Sequence, residues 1–221
     1  MKRFFFVSAC LISLTIYAQQ YELPVTGARE QLVKHTLYTL SYNENYELAS
    51  WAAYQLTPEQ AKATGTFKEK YVEDPLVTTG SASTKDYKDA GFIMGQLVPP
   101  EDMFNSILAL EEAFLTSNTV PQKPSFNKYV WKNIEKLIRE WAKEGNTMYI
   151  ATGPVLKDAP FGTFGQNKIS IPTRYYKVVM DVRGERAVGF VMRSNVATGA
   201  PKAFAVSVDE VEKITGIDFF P

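Results

Sequence analysis

Proton transfer near neutral pH is most often the work of histidine, and this chain of 221 residues has one, His35, set between Lys34 and Thr36. A lone histidine in a strand is ordinarily a surface or core-edge residue, so His35 alone does not make a catalytic site. Lys85 and Lys88 could reach a site, yet exposed lysine stays protonated until about pH 10. Two oxygen-bearing side chains are more informatively spaced. Asn127 and Glu135 lie eight residues apart, about two turns along one helix face. Read by themselves, Asn127 begins the helix as its N-cap, and Glu135 is a solvated charge or the partner of Lys132 or Arg139.

The helix that would carry this pair has the clearest pattern in the chain. Val130, Ile134, Leu137 and Trp141 recur at helical spacing and predict one buried face, and Gly145 stops it. Upstream, His35 to Tyr42 and Leu48 to Leu56 read as strands around Asn43-Glu44-Asn45, and Pro58 to Thr84 as a long surface loop. Phe92 to Val98 predicts a short strand ended by Pro99-Pro100. Ile107, Leu108, Leu110 and Phe114 predict a helix over Phe104 to Phe114, and Ser117 to Ser125 reads as a loop broken by Pro121 and Pro124. Met148 to Thr152, Ile169 to Ile171, Tyr175 to Val182 and Ala187 to Met192 predict strands of a mainly antiparallel sheet. Ser207-Val208-Asp209-Glu210 has the form of a capping box opening a helix through Ile214, and Phe219-Phe220 should pack against the body.

Lys2 and Arg3 precede an apolar run from Phe4 to Ile16 and then Tyr17-Ala18, the pattern of a signal peptide cut after Ala18. The run is shorter than the roughly 20 residues a permanent span needs, so no stable membrane span is expected. Val7-Ser8-Ala9-Cys10 has the form of a lipoprotein box, the alternative, but the residues after Cys10 stay apolar where a tether should be polar. Cleavage would leave one domain over 19–221, exported to the periplasm or the medium, without cysteine and with 22 basic against 24 acidic residues. Bulk charge would not draw phosphate to such a surface; a local basic patch would have to.

Gly91-Phe92-Ile93-Met94-Gly95-Gln96-Leu97-Val98-Pro99 resembles the catalytic segment of the DNA/RNA non-specific endonucleases, whose Asp-Arg-Gly-His motif aligns with Ile93, Met94, Gly95 and Gln96, followed by Leu97 and Pro99. The resemblance extends over Ala49 to Thr57, Ser117-Asn118-Thr119-Val120-Pro121-Gln122, Asn127 with Trp131 and Glu135, Thr152-Gly153-Pro154, Tyr176-Lys177-Val178 and the ending Thr215 to Phe220. It implies a ββα-metal fold of class α+β, a central antiparallel sheet flanked by helices. It further implies Asn127 as metal ligand, Glu135 holding metal-bound water, Asn118 orienting the neighbouring loop and solvent, and Mg²⁺ as the ion, with Mn²⁺ able to substitute. Tyr71-Val72-Glu73-Asp74-Pro75 aligns with a Phe-x-x-Asp-Pro element that usually follows an arginine, and Phe67 stands at the arginine's place.

Against that pattern, Gln96 replaces the general base and Met94 the motif arginine. A glutamine amide can hold water but has no useful basicity near pH 7. Losing a base costs roughly 10²–10⁴ in rate, and losing a group that faces transition-state charge costs on the order of 10²–10³. Ile93 and Met94 could instead fill the space of a vanished charge cluster. The expected function is therefore an exported member of this family, impaired or inactive as a nuclease, that keeps divalent-metal and weak nucleic-acid binding. One alternative is an active Mg²⁺-dependent endonuclease cleaving DNA and RNA through metal-bound hydroxide. Another is an extracytoplasmic protein-binding module. No oligomeric state follows from the residues.

Overall fold

The computed structural model describes residues 23–181, 183 and 186–221. The expected signal peptide and Cys10 lie outside the described residues, as does Val182 at the end of one expected strand.

Seven strands form one antiparallel sheet in the order β1-β2-β3-β6-β9-β10-β11. They are β1 (Gln31–Lys34), β2 (Tyr38–Asn43), β3 (Leu48–Leu56), β6 (Met148–Pro154), β9 (Arg174–Asp181), β10 (Arg186–Arg193) and β11 (Ala205–Val206). β4 (Ile93–Gln96) and β5 (Thr119–Gln122) make a separate antiparallel ribbon, and β7 (Thr163–Phe164) pairs with β8 (Ile169–Ser170). The helices are α1 (Pro58–Lys62), α2 (Ile107–Glu112), α3 (Pro124–Phe126), α4 (Lys132–Lys143) and α5 (Val208–Thr215). The α+β architecture is the one the sequence implies.

The central strands are covered on both faces, which is why β3 and β6 read as nearly continuous apolar runs rather than alternating ones. Side chains of period two divide between the two cores. Ala52, Tyr54, Leu56, Tyr175 and Val179 join Trp131, Ile134 and Ile138 on one face. Trp51, Ala53, Ala151, Tyr176 and Val178 join Val211 and Phe219 on the other. Lys177 falls in phase with Tyr175 and Val179, so its charge is directed into the α4 layer.

Several expectations are corrected. The stretch after β3 begins with α1, signalled by Thr57 and Gln60, which form a complete capping box; further along, Asp74, Val77 and Ser81 are buried rather than surface loop. α2 is shorter than Phe104 to Phe114 because Ser106 caps it late, and it leaves Ile107 and Leu108 exposed while Ala109 and Phe114 are buried. Ser117 to Ser125 holds a 3₁₀ turn (Thr116–Asn118) and then β5, whose Pro121 sits opposite Met94. Proline is tolerated there because a two-stranded ribbon has a free edge. Asn127 is not an N-cap: α3 precedes it, and Asn127–Trp131 is wound as π-helix that runs into α4. Below it, Val130, Ile134, Ile138 and Ala142 form the buried stripe, with Leu137 and Trp141 partly buried beside it. Gly145, at φ +108°, follows the helix end. The Ser207 side chain caps α5, and Gly216 ends it in the left-handed region.

Candidate active site

The β4–β5 ribbon lies against the π-wound start of the long helix, and the sequence-expected site residues gather at that junction. Gln96 pairs with Thr119 and Gly95 with Val120. The Gln96 carbonyl accepts the Trp131 indole N–H at 3.1 Å, which locks the end of the motif strand to the helix. The Gln122 side chain crosses over Gly95, and any Cβ at residue 95 would overlap its amide. Only glycine leaves that passage open. The Gln122 Oε1 then accepts from Asn127 Nδ2 at 2.7 Å, which fixes the Asn127 amide, and among the described residues no donor is directed at its Oδ1.

Glu135 is 4 % exposed and pairs with Lys177, not with Lys132 or Arg139: the Lys177 Nζ lies 3.4 Å from Glu135 Oε1. The contact is an ion pair rather than an aligned hydrogen bond, since Oε1 is a buried atom without a hydrogen-bond partner. Burial pushes the Glu135 carboxyl up to about 7 against the pull of Lys177 and Arg139. Burial pushes Lys177 below its usual range, opposed by Glu135 and Asp102. The ammonium also lies 3.9 Å from the centre of the Trp131 ring, 3.3 Å from Thr152 Oγ1 and 3.4 Å from the Leu97 carbonyl. Arg139 is taken by Asp102 at 2.8 Å, and Asp102 accepts from the Tyr54 hydroxyl as well.

Asn118 orients its loop by spending both polar atoms on backbone. Its Oδ1 accepts from Val98 N–H, and its Nδ2 donates to the Val98 and Ala113 carbonyls, each at 3.0 Å. It is fully buried, so the solvent-orienting half of the expectation has no counterpart in the side chain's contacts. Met94 packs against the main core, whereas Ile93 stays 38 % exposed and fills no internal space. Gln96 Nε2 donates to the Tyr71 hydroxyl at 2.6 Å. His35 is buried elsewhere: its Nε2 is 3.1 Å from Asp74 Oδ2, its ring packs on Tyr38, and it shares no contact with Gln96.

A family model described as DNA/RNA non-specific endonuclease matches residues 16–221. The chain belongs to that family. Among its relatives, nuclease C1 of Cunninghamella echinulata var. echinulata is 30 % identical over 88 % of this chain and 84 % of its own length. Mitochondrial endonuclease G of Homo sapiens is 29 % identical over 86 % of this chain and 70 % of its own. Mitochondrial nuclease EXOG of Danio rerio is 26 % identical over 91 % of this chain, which spans 64 % of that relative. A crystal structure of the EndoG/EndoGI complex superposes with a TM-score of 0.78 at 22 % identity, covering 86 % of this chain and 85 % of that one. The fold is thus that of the ββα-metal nucleases.

Three residues of the site were missed from sequence. Gln122 and Lys177 sit inside segments quoted for the family resemblance, and their roles depend on who faces them across the ribbon and the sheet. Tyr71 lies in a stretch read as loop, and nothing local signals its contact with Gln96.

Proposed function

We propose that this member of the DNA/RNA non-specific endonuclease family is impaired as a nuclease and retains a site for a divalent ion and, weakly, for nucleic acid. One observation carries the reading. The side chain at the general-base position is an amide bonded to Tyr71, and the chain's only histidine is engaged with Asp74 instead. The two losses at residues 94 and 96 together cost about 10⁴–10⁷ in rate if independent, less if the groups act as a unit.

The residues fit a hydrated ion. Asn127 offers an amide oxygen held in place from behind, while Glu135 Oε1 is a buried acceptor without a hydrogen-bond partner. Nucleases of the family are metal-dependent, and oxygen donors with few protein contacts favour Mg²⁺, with Mn²⁺ as substitute. A divalent ion, when bound, supplies charge stabilisation at a phosphodiester. Asn127 would hold it, and Glu135, with Lys177 3.4 Å away, would order its water shell.

Purified protein incubated with plasmid, RNA and Mg²⁺ or Mn²⁺ should cleave neither at a rate near its histidine-bearing relatives. Cleavage at such a rate that Asn127→Ala abolishes would refute the reading. Gln96→His with Met94→Arg and Ile93→Asp should bring cleavage back; silence from the folded triple variant would mean that more of the site has been lost.

A second reading, slow turnover by the unaltered chain without a protein base, draws support from Asn127 and Glu135, which keep the ion-holding positions of the family pattern. It requires a rate that rises with pH, and no cleavage between about pH 6 and about pH 10 would end it.

Export is part of the proposal. The charged start and short apolar run support a leader removed after Ala18, ahead of a domain over 19–221, and among the described residues no helix is long and apolar enough to cross a membrane. N-terminal sequencing of protein recovered from periplasm and medium would test it; an intact Met1 would count against cleavage.

A further inference from the structure

Tyr71 joins an aromatic ring and a hydroxyl, and each is held by different neighbours. The ring packs edge-on to Phe114, with centroids 5.5 Å apart at 77°. The segment carrying it is tied down: Val72 N–H donates to the Phe114 carbonyl, Thr116 N–H donates to Val72, and Asp74 accepts from Ser117 and lies beside His35. Tyr71 therefore presents its hydroxyl from a fixed base rather than from a loose loop.

The hydroxyl makes two contacts, to the Met94 carbonyl at 3.1 Å and to Gln96 Nε2 at 2.6 Å. A carbonyl can only accept, so the single phenolic proton is committed to Met94, and toward Gln96 the oxygen can only accept. That decides the orientation of the amide: Nε2 faces Tyr71 and Oε1 is left over, with no described side chain donating to it. We propose that Tyr71 is the positioning residue of position 96, and that its hydroxyl turns the side chain in the histidine's place into a fixed acceptor. The site would then hold a water or hydroxyl donor without removing its proton. This rests on the reading that residue 96 occupies the general-base position.

Tyr71→Phe in the full chain tests it, because the variant keeps the ring against Phe114 and deletes only the hydroxyl. Hydrogen exchange of the Gln96 side-chain amide, followed by ¹⁵N-edited NMR, should quicken about fivefold, the effect of one neutral hydrogen bond. In a Gln96→His background the ¹⁵N spectrum should show a single imidazole tautomer, which becomes a mixture when Tyr71→Phe is added. His35 supplies the one other imidazole signal and should not move. Unchanged exchange, or the same tautomer with and without the hydroxyl, would overturn the proposal. So would a Tyr71→Phe chain that fails to fold, since the hydroxyl would then hold the domain and not one side chain. Neither spectrum depends on cleavage: a silent triple variant bears on the reading of the site, an unmoved amide on Tyr71.

Discussion

Lys177 and Glu135 form an ion pair at 3.4 Å with their side chains 0 % and 4 % exposed, across the gap between β9 and α4. Two ions at that depth have lost their hydration, and breaking such a pair leaves one of them uncompensated. Lys177→Met is expected to destabilise the domain by about 3–5 kcal/mol. Adding Glu135→Gln should recover part of that loss, because the second change removes the stranded charge. Urea denaturation of the four chains in a double-mutant cycle measures the coupling; additivity would mean that the two groups do not interact.

The same pair sets a pH dependence. Burial raises the folded Glu135 carboxyl from its ordinary 4.5 to about 7, so between those values the folded state binds the proton that the unfolded state has released. Its contribution to stability therefore falls as pH rises through that window and is flat on either side. The difference in unfolding free energy between the unaltered chain and Glu135→Gln should decline over the window. A difference independent of pH would show that Glu135 titrates normally.

Asp74 has the opposite sign. Burial raises its pKa, but hydrogen bonds from His35, Ser117 and the Leu76 amide outweigh burial and hold it below the ordinary 3.8. Its stabilising contribution is fully present above that value and is lost as pH falls through the depressed folded pKa. Asp74→Asn should lower the melting temperature at pH 7 and shrink the acid-denaturation limb. An acid limb of unaltered size would argue against it.

Gly95 is held to glycine by the Gln122 amide lying over it. Gly95→Ala is expected to cost about 1–3 kcal/mol by overpacking and to displace Gln122 from Asn127. Mn²⁺ affinity, measured by calorimetry on protein shown to be folded, should drop with it. Full affinity in Gly95→Ala would separate the Gln122 contact from the proposed ion site.

Asn118 spends its amide on three backbone contacts at 3.0 Å, so Asn118→Ala leaves buried Val98 and Ala113 groups without partners. A loss of about 2–4 kcal/mol is expected, judged from the penalty for leaving such groups unsatisfied. A melting temperature equal to the parent's would remove it from the structural framework.

The long helix, most of the large strands, the family frame and the substituted motif could be read from residues 21 to 221 in order. Each depends on local periodicity or on spacing along the chain, and Val130, Ile134 and Gly145 show their roles one turn at a time. Other features were hidden because their causes are remote in sequence. β5 follows from pairing with β4 despite Pro121. The π winding at Asn127 is a local distortion that no repeat of apolar residues announces. His35 is buried because Asp74, thirty-nine residues away, comes to meet it.

By itself, then, the sequence determined which chemical groups exist: an amide and not an imidazole at residue 96, an asparagine at 127, a carboxylate at 135, and a single histidine. Only the tertiary structure decided what those groups do to one another. Folding brought Tyr71 against Gln96, Gln122 over Gly95 to Asn127, and Lys177 beneath Glu135. The reason is physical: side-chain identity fixes proton affinity and hydrogen-bonding capacity, whereas burial and opposite charge, which shift both, come from neighbours dozens of residues away.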